Sequence, residues 1–146
     1  MSSFATFAAL HVPGDPVVLY NVWDVGSALA VVAGEAKALA TGSHPVAEAH
    51  GWPDGEQVPI EFALANAKRI VAAVELPVSV DFEGAYSADP DEDAANVARL
   101  KATGAVGCNF EDQVVGGEGI TARPPGPPNR RDSPRGWQRL LPQCAY

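Results

Sequence analysis

Three groups of carboxylates stand out in this sequence by where they fall. Asp24, Asp81 with Glu83, and Glu111 with Asp112 each sit at or just beyond the C-terminal end of a short apolar run with strand character. Singly, each is read as a helix cap or a solvated turn. Together they would repel one another on a common rim unless a cation were present. Oxygen-only ligands of this kind suit Mg²⁺. The three histidines are weaker candidates. His44 borders the Thr41-Gly42-Ser43 loop and is placed to touch a ligand there, whereas His11 and His50 are read as structural or surface residues. Cys108 lies inside an apolar run and is read as a small core residue, and Cys144 is assigned no role. Two cysteines 36 positions apart make neither a disulfide framework nor a zinc motif.

The elements that must position these acids alternate between strand and helix. Val17–Asn21 is an apolar strand candidate after the turn signal Pro13-Gly14-Asp15-Pro16. Residues 24–33 predict a helix with Asp24 as N-cap and Gly34 as its stop. Residues 36–41 predict a second strand, and 45–49 a short helix. Residues 59–74 predict an amphipathic helix, because Ile60, Leu64, Ala67, Ile70, Val71 and Val74 recur at three- and four-residue spacing. Residues 77–81 predict a third strand, 91–102 a helix carrying Val97 and Leu100, and 105–110 a fourth strand. Apolar strands alternating with helices define an α/β protein whose strands run parallel. In such folds the loops at the strand C-termini carry the chemistry.

Composition narrows the function classes. The chain of 146 residues is 47% hydrophobic, enough for one domain with a core, and carries a net charge of −8. That acidity disfavours nucleic acid and anionic membranes as partners. No apolar run reaches the roughly 18–20 residues that span a bilayer, and no basic segment precedes the apolar N-terminus as in a signal peptide. A cytoplasmic protein is the expectation.

The charge is unevenly spread. Residues 1–119 carry −12 and residues 120–146 carry +4, with six of the thirteen prolines in the latter. The segment Arg123-Pro-Pro-Gly-Pro-Pro-Asn-Arg-Arg131 sustains neither a helix nor a central strand. Three readings stand for it: a disordered polyproline-like tail, a basic or proline-rich arm for a partner, or a stretch translated out of frame.

Seven stretches, in order, resemble the isocitrate lyase/phosphoenolpyruvate mutase superfamily, and within it the phosphonomutase-like branch. They are Leu10-His-Val-Pro-Gly14, Asn21-Val-Trp-Asp24 with Ser27-Ala28, Ala38-Leu-Ala-Thr-Gly-Ser43 with Val46-Ala47, Gly51-Trp-Pro-Asp-Gly-Glu56, Arg69-Ile70, Leu76-Pro-Val-Ser-Val-Asp-Phe-Glu-Gly-Ala-Tyr86, and Gly104-Ala-Val-Gly-Cys-Asn-Phe-Glu-Asp-Gln113. The resemblance runs from residue 4 to about residue 119. It implies the first four βα units of a (β/α)₈ TIM barrel over 1–119, with 120–146 as a separate low-complexity tail. It also implies Mg²⁺ and a small α-oxocarboxylate or enolate substrate whose C–C or P–C bond is broken, formed or rearranged. Carried over by position, Asp81, Glu83 and Glu111 match the metal-site acids, several of which act through metal-bound water. Asp54 matches the catalytic carboxylate after the second strand. Thr41, Gly42 and Ser43 match the loop that holds the substrate carboxylate or oxyanion, and Trp23 and Asp24 match the substrate-facing rim of the first strand.

Two departures accompany the match. The cysteine motif that many lyases of the superfamily carry after the fourth strand is replaced by Val114-Val-Gly-Gly-Glu-Gly119, and no arginine of the tail stands in a strand-like context. Half a barrel leaves strand edges to cover, so a homo-oligomer is expected if the chain folds alone. An inactive remnant and a metal- or small-molecule-binding module without turnover are the alternative readings to an enzyme.

Overall fold

Four short apolar segments each supply one parallel strand, and the helices between them return the chain to the same end of the sheet. A computed structural model of the chain describes residues 2–111 and Val115. The elements are α1 (Ser3–Ala9), β1 (Tyr20–Val22), α2 (Val25–Ala33), β2 (Leu39–Thr41), α3 (Ser43–Ala49), α4 (Ile60–Ala73), β3 (Val78–Asp81), α5 (Pro90–Lys101) and β4 (Gly107–Asn109). The strands form one sheet in the order β1-β2-β3-β4, every neighbouring pair parallel. This is the α/β arrangement of a partial TIM barrel. The expectations for residues 120–146, and Asp112, lie outside the described residues.

The helices begin where local chemistry satisfies their first amides. Asp24 and Ser27 form a reciprocal capping box at the start of α2. Asp89 caps α5 by accepting from the N–H groups of Asp91 and Glu92, with Pro90 in the first turn. Acids in the first turn of α5 and Arg99 and Lys101 in its last turn complement the helix dipole. Arg99 also pairs with Glu61 and so ties α5 to α4 at the surface.

The stripe predicted along α4 is the buried one. Leu64, Ala67 and Ile70 are buried against Val22, Leu39, Val78, Val80 and Phe82 of the sheet side, and Val97 and Leu100 of α5 join the same cluster. Cys108 packs at its margin, as expected of a small core residue. Paired residues define the opposite face, where Asn21, Ala40, Ser79, Asp81, Gly107 and Asn109 alternate with the core residues. It is small and polar rather than branched and apolar.

Two differences from the sequence expectations have physical causes. The strands are shorter than the apolar runs, because pairing begins only at Tyr20 opposite Leu39, and Val18 is left 64% exposed ahead of it. Helix α1 was not expected. Ser2 caps it by accepting from the Ala5 N–H at 3.3 Å, and Phe7 anchors it in a buried position. Its ring meets His11 edge-on at 4.8 Å, and His11 Nδ1 lies 2.9 Å from the Phe7 carbonyl, a structural use of that histidine.

Ile70 is fully buried at the centre of this cluster. Ile70→Ala is therefore expected to lower unfolding free energy by about 2–5 kcal/mol in a denaturant titration. Leu29→Ala, at a position 49% exposed, is expected to change it by no more than about 0.5 kcal/mol.

Candidate functional site

Asp81 is the last residue of β3, so its side chain leaves the sheet at the C-terminal end. Its Oδ2 accepts two hydrogen bonds from one residue across the sheet, from Ser43 N–H at 3.0 Å and Ser43 Oγ at 2.9 Å. The Asp81 N–H donates to Thr41 Oγ1 at 3.0 Å. The loop after β2 and the end of β3 are thus joined through three bonds. The resemblance gave the Thr41-Gly42-Ser43 amides to a substrate carboxylate; here the Ser43 amide is given to Asp81. Gly42 is required at the turn itself, because a Cβ would stand 2.8 Å from Pro45 Cγ and 2.9 Å from Asn21 Nδ2.

Glu83 lies two residues beyond the strand and is almost completely buried. Its Oε2 accepts from the Glu56 N–H at 2.6 Å. Burial pushes its carboxyl up to about 7, and the nearby charges of Asp54, Glu56 and Asp81 push the same way, against the Glu56 amide bond. Burial, and then the charges of Glu83, Glu56 and Asp81, also push the Tyr86 phenol up. Surplus negative charge is gathered at this rim.

The other expected residues stand around this centre. The Glu111 N–H donates to the Glu83 carbonyl at 2.7 Å, which brings β4's exit beside the β3 loop. Asp54 is half exposed, with its Oδ2 3.4 Å from His44 Nδ1. Trp23 is fixed through its carbonyl, which accepts from Asn66 Nδ2 at 2.8 Å. The Asp24 carboxylate accepts from the Ser27 N–H at 2.7 Å, and the Ser27 bonds hold it below the usual carboxylate range. A cleft is lined by Thr41, Ser43, Asn66, Asp81, Glu83 and Tyr86 among others, whereas Trp23, Asp24, Asp54 and Glu111 do not line it.

Two contributors escaped the sequence reading. Asn66 occupies a buried position inside the apolar stripe of α4, and a polar residue there was a visible signal. Glu56 accepts from Gly84 N–H at 2.9 Å and Tyr86 N–H at 2.7 Å. Nothing in its turn-like surroundings distinguishes it from a solvated acid.

The donor set is compatible in chemistry with a hard divalent cation: carboxylate oxygens, one of them buried and charge-crowded. No three His, Cys, Asp or Glu side chains among the described residues form a ready cage for a metal ion. Carboxylate oxygens are the donors that Mg²⁺ takes. No helix among the described residues is long and apolar enough to cross a membrane.

Comparison with known proteins agrees with this architecture. Two uncharacterized Mycobacterium tuberculosis proteins are each 42% identical over 109 residues, 73% of this chain and 40% of theirs. A crystal structure of a candidate phosphonomutase from Burkholderia cenocepacia is 47% identical with a TM-score of 0.74, covering 76% of this chain and 45% of that one. A phosphonopyruvate hydrolase crystallised with oxalate and Mg²⁺ shares the fold at a TM-score of 0.75 and 14% identity, over 81% of this chain and 41% of that one. The chain spans about two fifths of the length of the curated relatives it matches. The phosphoenolpyruvate phosphomutase family model matches residues 7–126, reaching past residue 119 into the arginine-bearing segment. The chain belongs to the phosphoenolpyruvate phosphomutase family.

Proposed function

We propose that this chain supplies the metal-binding half of a lyase or phosphonomutase site for a small α-oxocarboxylate or enolate. The observation that carries this reading is the gathering of Asp81 and Glu83, with Asp54 in electrostatic reach, at the C-terminal rim of the parallel sheet. Asp81, Glu83 and Glu111 would hold Mg²⁺, some of them through water. The ion would supply positive charge to an enolate-like oxyanion.

The remaining roles belong to this chain's own groups. Ser43 orients the Asp81 carboxylate with two donors, leaving its other oxygen for the site. Thr41 and Ser43, which line the cleft on either side of Gly42, would be the wall against which a substrate carboxylate rests. Asp54, on a neighbouring loop with its Oδ2 3.4 Å from His44 Nδ1, would hold or move a proton there. Trp23 and Asp24 flank the first-strand rim. Oxalate, the enolate mimic held by the phosphonopyruvate hydrolase of like fold, is the probe of choice.

Among the described residues the outer edges of β1 and β4 are open, and a neighbour that covers them would complete the site. A second copy of this chain or the remainder of a longer one would serve. Binding without turnover is the second reading.

Calorimetric titration with Mg²⁺, then with oxalate in its presence, tests the assignment. Uptake of Mg²⁺ is expected, with oxalate binding dependent on it. Asp81→Ala is expected to weaken Mg²⁺ binding by about tenfold or more, about 1.4 kcal/mol. An unchanged affinity in that variant would exclude the assigned site. Turnover of oxalate-like α-oxocarboxylates or phosphonopyruvate by the same preparation separates enzyme from binding module.

A pH prediction follows from Glu83. Its carboxyl is raised from 4.5 to about 7 on folding, so between those values the folded chain holds a proton that the unfolded chain has lost. Stability of the metal-free protein is therefore expected to fall as pH rises across that window, by up to about 3 kcal/mol. Glu83→Gln is expected to flatten the dependence in denaturant titrations at pH 4.5, 6 and 8. A slope that survives the substitution assigns the proton elsewhere.

A further inference from the structure

Glu56 bonds in both directions between two loops. Its carboxylate Oε1 accepts from the N–H groups of Gly84 and Tyr86, at 2.9 and 2.7 Å. Its own N–H donates to Glu83 Oε2 at 2.6 Å. These three bonds span 27 to 30 positions of sequence and join the Asp54 loop to the loop after β3.

The backbone on both sides requires such a tie. Glu83, Ala85 and Tyr86 adopt φ of 48°, 60° and 64°, and Glu56 itself stands at 58° after Gly55 at 85°. Side chains with a Cβ rarely occupy that left-handed region, and a run of them persists only when the surroundings over-determine it. Within the β3 loop, the Ala85 N–H closes a turn onto the Phe82 carbonyl. The amides of Gly84 and Tyr86 point the other way, to Glu56.

The choice of an acid here runs against local electrostatics, because the Glu56 charge adds to the crowding around Glu83. What the side chain supplies is reach and an oxygen that two amides can share. A glutamine has the same reach and the same acceptor oxygen without the charge.

We infer that Glu56 is a positioning residue: it fixes the β3 loop and aims the Glu83 carboxylate while setting the distance of the Asp54 loop from it. The inference rests on the proposed role of Glu83 at the cation. Outer-shell partners that orient metal-site groups typically change metal affinity by about 10–100-fold when removed. Glu56→Ala is accordingly expected to weaken Mg²⁺ binding at least tenfold, and Glu56→Gln to stay within about threefold of the parent. Rescue by glutamine separates aiming from charge, since a directly ligating carboxylate would not be replaced by an amide.

The test combines calorimetric Mg²⁺ titration of these variants with hydrogen exchange of the Gly84 and Tyr86 amides in metal-free protein. Faster exchange at both amides in Glu56→Ala, parent-like exchange in Glu56→Gln, and the same ranking in Mg²⁺ affinity are the expected results. Unchanged exchange in Glu56→Ala overturns the tie. Faster exchange with unchanged Mg²⁺ affinity, or equal loss of affinity in the alanine and glutamine variants, overturns the positioning role. Should the parent take up no Mg²⁺, the cation reading of Glu83 fails and the positioning role falls with it, whereas the exchange rates still decide whether Glu56 holds the loop. Glu56→Asp, one methylene short of both amides, carries the same comparison if the alanine variant does not fold.

Discussion

Carboxylates repel one another, yet Asp54, Glu56, Asp81 and Glu83 are held within electrostatic reach at one end of this sheet. Their hydrogen bonds come largely from backbone amides. Ser43 donates to Asp81, Glu56 to Glu83, and Gly84 and Tyr86 to Glu56. An amide dipole can orient a carboxylate without neutralising it, and it is burial that leads Glu83 to hold a proton below about 7. Charge-assisted bonds of this kind are the stronger class of hydrogen bond, and here each also closes a loop. The rim is ordered by the same acids that make it electrostatically costly.

That constraint explains the backbone around it. Loops that present amides to a carboxylate from two sides must turn sharply, and the left-handed residues at 56, 83, 85 and 86 are those turns. The tight passage at Gly42 has the same origin, since Ser43 reaches Asp81 only because the chain passes beneath Pro45 and beside Asn21 with no Cβ. Farther from the rim the structure relaxes into ordinary α/β packing, where Ile70, Leu39 and Val78 bury apolar surface without special geometry.

The contrast shows what a sequence can display. The alternation of strands and helices was legible because each element repeats its own period: Leu64, Ala67 and Ile70 mark α4, and Asp24 with Gly34 brackets α2. Asp81 and Glu83 were legible because they follow an apolar strand. Helix α1 was not, because its seven residues are too few to establish a period and a single buried ring, its own Phe7, anchors it. The role of Glu56 was invisible for a different reason. Its partners are backbone amides about 30 positions away, and backbone amides leave no trace in a pattern of side chains. Asp24 shows the opposite hazard, an acid at a strand end whose carboxylate accepts from its own helix's amides.

The two ends of the sheet answer different needs. At the N-terminal end of the polar face, Phe7 of α1 closes over Gly107 and Ser79, where a Cβ on Gly107 would stand 3.5 Å from the ring and 3.3 Å from Ser79 Oγ. Small residues there admit an aromatic plug, and the contact is one of packing alone. At the C-terminal end the same face presents Asp81 and Asn109. Parallel barrels separate stability from chemistry along their axis in this way. The lateral edges are a third matter. Among the described residues β1 and β4 each offer one unpaired side, and parallel sheets are found buried rather than solvated. A neighbour paired with those edges would help to close the polar face, and water kept from Asp81 would strengthen each electrostatic interaction that the rim has gathered.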